Sequence, residues 1–153
     1  MPTPEERLQQ LGVSLPSPAV PVAAYVPCVR AGNLVYVSGQ VPLVDGKPSH
    51  VGHLGDDVGL EDGRDAARTC AINVLAALKA ELGDLSRVSR VVKVTGFVAS
   101  APGFTDMPKV VNAASELFAD AFGDAGRHAR AAVGVAALPL GVPVEVEAIV
   151  EVD

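Results

Sequence analysis

Tryptophan is absent, and the whole chain holds only two tyrosines and four phenylalanines. Single-stranded nucleic acids are gripped largely by stacking bases on aromatic rings, so a chain this poor in rings offers few platforms. The charge balance points the same way. Twelve Lys and Arg against 18 Asp and Glu leave a net charge of −6, which has no general attraction for a phosphate backbone. No run of about 18 apolar residues occurs, so no helical membrane span is expected. The opening MPTPEERLQQLG lacks the basic start and apolar core of a secretory signal. Cysteine is scarce too. Cys28 and Cys70 are too few and too far apart for a disulfide framework or a thiolate metal site, and both read as buried, reduced thiols. These shortages lead us to expect a cytoplasmic protein with no nucleic-acid or membrane partner.

What is present is enough apolar residue for a core. The chain has 153 residues, 49% of them hydrophobic, which fits one domain. Thr3, Pro4 and Glu6 form the capping pattern of a short helix over 3–12, stopped by Gly12. The segment 15–21 contains three prolines and reads as an extended connector. We therefore divide the chain into an N-terminal helix and Pro-rich connector (1–20) and a main domain (21–153). Residues 22–44 read as two strands joined at Ala31-Gly32-Asn33, with Pro27 marking an edge or a bulge. Residues 45–59, with no apolar period, read as a long surface loop. Ala67, Cys70, Ala71, Val74, Leu75 and Leu78 recur at helical spacing over 61–82, before Gly83.

Val88–Val98 is mostly apolar on both faces and is expected to be a central strand. Asp106 and Pro108 start a second long helix, ending at Gly123. The tail reads as strands 129–137 and 142–152 flanking a turn at 138–141. One sheet with two main helices on one of its faces is the economical packing, which leaves the other face uncovered. Val133, Val135, Val144, Val146 and Ile149, apolar on both faces of the tail strands in places, point to burial against another copy.

Common chemical motifs are missing. Pro48 occupies the Ser/Thr position of the nearest P-loop spacing, and neither G-x-G-x-x-G nor G-x-S-x-G occurs. His50 and His53 are too few for zinc unless Asp56 or Asp57 joins them, and a solvated loop explains the pair as well. Two charged residues remain. Arg130 opens an otherwise small and apolar strand, and Glu145 begins an alternation with Glu147 and Glu151. From pattern alone, a surface or salt-bridged arginine and an ordinary solvent-facing strand account for both.

Three segments in order carry a resemblance. They are Tyr25 with Ser38-Gly39-Gln40 thirteen residues on in GNLVYVSGQVP, the stretch FTDMPKVVNAASELFADAFG (104–123), and HARAAVGVAALPLGVPVEVEAIVEV (128–152). Together they resemble the RidA/YjgF family over roughly residues 20–153. The resemblance implies a chorismate-mutase-like α+β fold, assembled as a homotrimer with small-molecule sites between subunits. It implies hydrolytic deamination of reactive 2-imino and enamino acids of the 2-aminoacrylate type, a hydrolase acting on a C–N bond without metal or organic cofactor. Carried over, Arg130 holds the substrate carboxylate, Glu145 positions the attacking water, Tyr25 lines the cleft, and Ser38 and Gly39 contact the ligand. A planar guanidinium suits the first task because it binds a carboxylate with two parallel hydrogen bonds.

A non-catalytic, carboxylate-binding regulatory trimer is the alternative, and an endoribonuclease or translation inhibitor ranks last. The chain departs from typical members in its N-terminal helix, its longer loop after SGQVP, Ala132 in place of a frequent cysteine, and Arg127-His128 before Ala129-Arg130. In these features it resembles a distinct, long-form branch.

Overall fold

The computed structural model describes residues 1–18, 20–21 and 23–153. A short helix α1 (Pro4–Gln10) is opened by the expected capping box: Thr3 Oγ accepts from the Glu6 amide at 3.1 Å and Glu6 Oε2 accepts from the Thr3 amide at 2.7 Å. Strands β1 (Cys28–Ala31) and β2 (Leu34–Gln40) follow. The described residues between 23 and 27 are not strand. Pro27 has no amide to give a ladder, and pairing starts directly after it. Val22, where the first strand was expected to begin, and Ala19 of the connector lie outside the described residues.

The loop expected over 45–59 is more structured than its composition suggested. Leu43–Val44 (β3) and Lys47–Pro48 (β4) form a small hairpin of their own. Asp45 and Gly46 both take positive φ there, 53° and 78°, the backbone twist of a tight two-residue turn. Farther on, Leu54 and Val58 enter the core at 0% and 6% exposure. Leu54 is held by backbone bonds to Ala99 and Ala101, and its side chain fills the space left by Gly63, where an added Cβ would lie 2.8 Å from it. Two isolated apolar anchors have no period, which is why sequence pattern missed them.

Helix α2 (Leu60–Leu82), strand β5 (Val88–Ala99), helix α3 (Met107–Phe122), strand β6 (Ala129–Val135) and strand β7 (Val144–Val152) complete the chain. The architecture is α+β: one five-stranded sheet in the order β1-β2-β7-β5-β6, with the two main helices packed on it. β5 is an interior strand, paired on both sides, but β7 holds the middle of the sheet, and the outward face of β5 carries polar residues such as Arg90, Lys93 and Thr95. The tail strands flank a turn but do not pair with each other. α3 carries the chain from β5 to a parallel β6 at the edge, and the last strand inserts antiparallel between β2 and β5.

The core lies between helices and sheet. Val35 and Val37 of β2, Val91, Val94 and Val98 of β5, and alternate residues Val144 to Val152 of β7 meet Cys70, Val74, Leu75, Val111 and Phe118. Leu8 and Val13, from the N-terminal segment, join the same core. Cys28 and Cys70 are free and buried, and burial raises both thiols, Cys28 to about 11 with help from Glu81. The opposite sheet face carries Tyr36, Ile149, Phe97 and Val133, with Tyr36 and Val133 still 45% and 41% exposed. Among the described residues no helix is long and apolar enough to cross a membrane.

Candidate functional site

Strand alternation decides where each candidate residue faces. In β7 the residues flanking Glu145, Val144 and Val146, are fully buried toward the helices, so Glu145 faces the open side of the sheet. Its neighbour there is Gly39, whose position a Cβ could not share: it would run into Glu145 Oε2 and lie 2.9 Å from Cδ. Glycine at 39 is thus required by close approach of the carboxylate to the β2 backbone. A register shift between Val37 and Gln40 marks this place in the β2–β7 ladder. Burial first, and the negative charge of Glu147 second, push the Glu145 carboxyl above its ordinary value of 4.5. Ser38 Oγ donates to the Val26 carbonyl at 2.6 Å, which ties the exposed Tyr25–Val26 segment to the same corner. Tyr25, Ser38, Gly39 and Glu145 therefore gather at one corner of the sheet.

Arg130 lies elsewhere. It pairs in register with Val94 on the edge strand β6 and its side chain reaches α3. Nη1 donates to Asn112 Oδ1 at 2.8 Å and to Ser115 Oγ at 3.1 Å, so both of its hydrogens are used. Nη2 reaches the Pro108 carbonyl only at 3.5 Å, a weak contact. Among the described residues Nε has no hydrogen-bond partner and no carboxylate pairs with the guanidinium. The Nε–Nη2 edge thus remains for a bidentate acceptor. Among the described residues Arg130 has no ion pair, so its salt-bridged reading does not fit, while its side chain stays partly exposed.

Next to it His128 Nε2 stands 2.9 Å from Ser115 Oγ and Nδ1 2.6 Å from the Gly126 carbonyl. Desolvation lowers the His128 pKa, the nearby Arg130 charge lowers it further, and the Gly126 hydrogen bond opposes both. A hollow of about 350 Å³ opens here, lined by Ser115, Glu116, Ala119, Arg127, His128 and Arg130.

Arg130 and Glu145 face opposite sides of the sheet with β5 between their strands, so one chain does not bring them together. His50 and His53 diverge. His50 approaches Asp62 and Asp65 at 3.8 Å each, while His53 Nε2 meets the Ala136 carbonyl at 2.7 Å. Among the described residues no group of three or more His, Cys, Asp or Glu is placed to hold a metal.

With this geometry in hand, similarity becomes informative. A sequence model of the family described as Endoribonuclease L-PSP matches residues 16–152. Protein TCP17 of Trypanosoma cruzi is 48% identical over 147 residues, covering 95% of this chain and 92% of its own. The 2-iminobutanoate/2-iminopropanoate deaminase of Dermatophagoides farinae is 32% identical over 142 residues, 92% of this chain and 95% of that one. The chain belongs to the RidA/YjgF family. A RidA-type function follows at that coarse level, because the family includes proteins named as imine deaminases. The crystal structure of Atu1372 from Agrobacterium tumefaciens is 50% identical and matches with a TM-score of 0.93, covering 98% of this RidA-family chain and 92% of that one.

Sequence reasoning did not single out Asn112 and Ser115 as partners of Arg130. A signal existed: Pro108, Asn112 and Ser115 are spaced four and three apart, so they stack along one ridge of α3. Pattern alone did not say which strand faced that ridge.

Proposed function

We propose that this protein hydrolyses reactive 2-imino and enamino acids of the 2-aminoacrylate type to a 2-oxo acid and ammonia. The observation that carries the reading is Arg130, a cation with Nη1 anchored by neutral groups and its Nε–Nη2 edge free of any carboxylate. A substrate carboxylate fits that edge with two charge-assisted bonds. Glu145 supplies the second half. Its raised pKa makes it a better proton acceptor, and the bare backbone at Gly39 lets the carboxylate lie close against β2. An enamine first tautomerises to the imine. Water then adds to the imine carbon while Glu145 takes one of its protons and passes it to nitrogen, giving a carbinolamine. The remaining hydroxyl proton follows to nitrogen by the same carboxylate, the C–N bond breaks, and ammonia leaves a carbonyl behind. The reaction needs a held carboxylate and an oriented water, and no redox or organic cofactor enters its balance.

Because Arg130 and Glu145 face opposite sides of one sheet, we place the complete site between copies of a homotrimer, where the arginine of one protomer meets the glutamate corner of the next. The apolar face with Tyr36, Phe97, Val133 and Ile149 supports such an assembly. The ligand partner is a small carboxylate, acting in the cytoplasm. A non-catalytic carboxylate-binding trimer is the second reading, favoured by the same separation of Arg130 from Glu145: assembly that holds the ligand without delivering the glutamate would bind and not turn over. Endonuclease action on RNA ranks behind both, given the charge of −6 and few rings.

The test couples a serine dehydratase, which releases 2-aminoacrylate, to pyruvate detection. The wild type should accelerate pyruvate release, Arg130→Ala should abolish the acceleration and 2-oxo acid binding, and Glu145→Gln should bind but turn over slowly. Binding without acceleration in the wild type selects the second reading. Light scattering that shows a stable monomer of 15.6 kDa at micromolar concentration refutes the shared site.

A further inference from the structure

Behind Arg130 runs a hydrogen-bond chain in which every proton can be assigned. The Gly126 carbonyl only accepts, so the 2.6 Å contact requires the proton on His128 Nδ1. In the neutral ring Nε2 then carries a lone pair, and the 2.9 Å contact to Ser115 Oγ requires Ser115 to donate. That spends the single hydroxyl proton of Ser115. Its lone pairs are left for Arg130 Nη1, 3.1 Å away. Asn112 Oδ1 takes the other Nη1 hydrogen at 2.8 Å. The ring itself is fixed edge-on against Phe118, with centroids 6.0 Å apart and planes at 86°.

Without His128 the Ser115 hydroxyl is free to rotate its proton toward Nη1, where donor would face donor. With His128 in place only the accepting orientation survives. We infer that His128 and Ser115 are positioning residues of the carboxylate site, locking the plane of the Arg130 guanidinium so that its Nε–Nη2 edge stays turned to the ligand. Neither residue touches the reacting atoms. This inference rests on the reading of Arg130 as the carboxylate holder, and it names what sets the precision of that hold. A fork binds two oxygens well only when its plane is fixed beforehand, and the cost of fixing it is then not charged to the ligand.

The experiment measures 2-oxobutanoate binding calorimetrically in the wild-type protein and in His128→Phe, His128→Gln, Ser115→Ala and Arg130→Ala. Phenylalanine keeps the ring against Phe118 and removes both nitrogens. Glutamine restores an acceptor for Ser115. His128→Phe and Ser115→Ala should each weaken binding about five- to tenfold, the scale of one hydrogen bond. His128→Gln should recover most of that loss. Combining His128→Phe with Ser115→Ala should cost no more than either alone, because the two act through one guanidinium.

A purely structural histidine would instead lower thermal stability and leave affinity unmoved. Unchanged affinity in His128→Phe, with binding still abolished by Arg130→Ala, overturns the positioning role and leaves the carboxylate reading standing. Unchanged affinity in Arg130→Ala overturns the carboxylate reading and this inference with it. If His128→Phe fails to fold, Ser115→Ala and His128→Gln decide by the same affinities. Nitrogen-15 NMR of the wild type adds an independent check: His128 must show a protonated Nδ1 and a bare Nε2, and the opposite tautomer refutes the chain.

Discussion

Exchanging Asn112 for aspartate changes one atom's charge without changing shape, and it asks whether Arg130 is a free cation awaiting a carboxylate. Asn112 Oδ1 already lies 2.8 Å from Nη1, so Asn112→Asp would give the guanidinium a resident anion. Two unit charges about 4 Å apart interact by about 4 kcal/mol at an effective dielectric of about 20. Asn112 is exposed, so solvent and salt reduce the net repulsion felt by an incoming carboxylate to about 1–2 kcal/mol. At about 1.4 kcal/mol per decade, affinity for a 2-oxo acid should fall about five- to thirtyfold. The new ion pair should add about 0–1 kcal/mol to stability. Loss of binding should therefore come with an equal or higher melting temperature, a combination that damage to the fold does not produce. Calorimetric titration with 2-oxobutanoate at two ionic strengths reads the first effect, which should shrink at high salt, and thermal unfolding reads the second. Unchanged affinity would show that the ligand does not use Arg130 charge, and the reading of the site would fall.

Three further outcomes follow from the geometry. Gly39→Ala should leave the chain folded but force Glu145 out of its place, lowering turnover at least tenfold with little effect on carboxylate binding; turnover equal to wild type would refute the placement of Glu145. Glu145→Gln should raise the thermal midpoint at pH 7. The Glu145 carboxyl titrates above 4.5 when folded, so its favourable, protonated contribution is complete below 4.5 and is lost as pH rises through the raised value; the variant's advantage should therefore vanish below pH 4.5. Glu5→Ala should cost about 1–2 kcal/mol, or about 3–6 °C in midpoint, because Glu5 Oε1 accepts from both Lys79 Nζ and the amide of the fully buried Leu85; a melt that is unmoved would show that α1 contributes little to the fold.

How much of this was legible beforehand depends on the range of the interaction. Capping at Thr3–Glu6, the helices ending near Gly83 and Gly123, and the interior place of β5 come from contacts within a few residues or from period alone, and a sequence states such things directly. Arg130 stood out for the same reason, as a charge opening an apolar strand. Period says that a residue points to one of two faces. It does not say which strand lies alongside, nor which helix covers the face.

The order β7-β5-β6 separates two strands adjacent in sequence, and only long-range pairing decides it. That order sends Glu145 to the open face against Gly39 and Arg130 to the helix face against Asn112 and Ser115. Leu54 and Val58 escaped notice because two isolated anchors have no period, and Leu54 fits into space left by Gly63 on another element. The sequence alone thus determined the main helices and strands and most apolar core positions, since these rest on local chain physics, and its suspect residues came from motifs shared with a family. The tertiary structure alone decided that the arginine and the glutamate lie on opposite faces of one chain, and that a serine and a histidine stand behind the guanidinium, because faces and neighbours exist only once distant segments have packed.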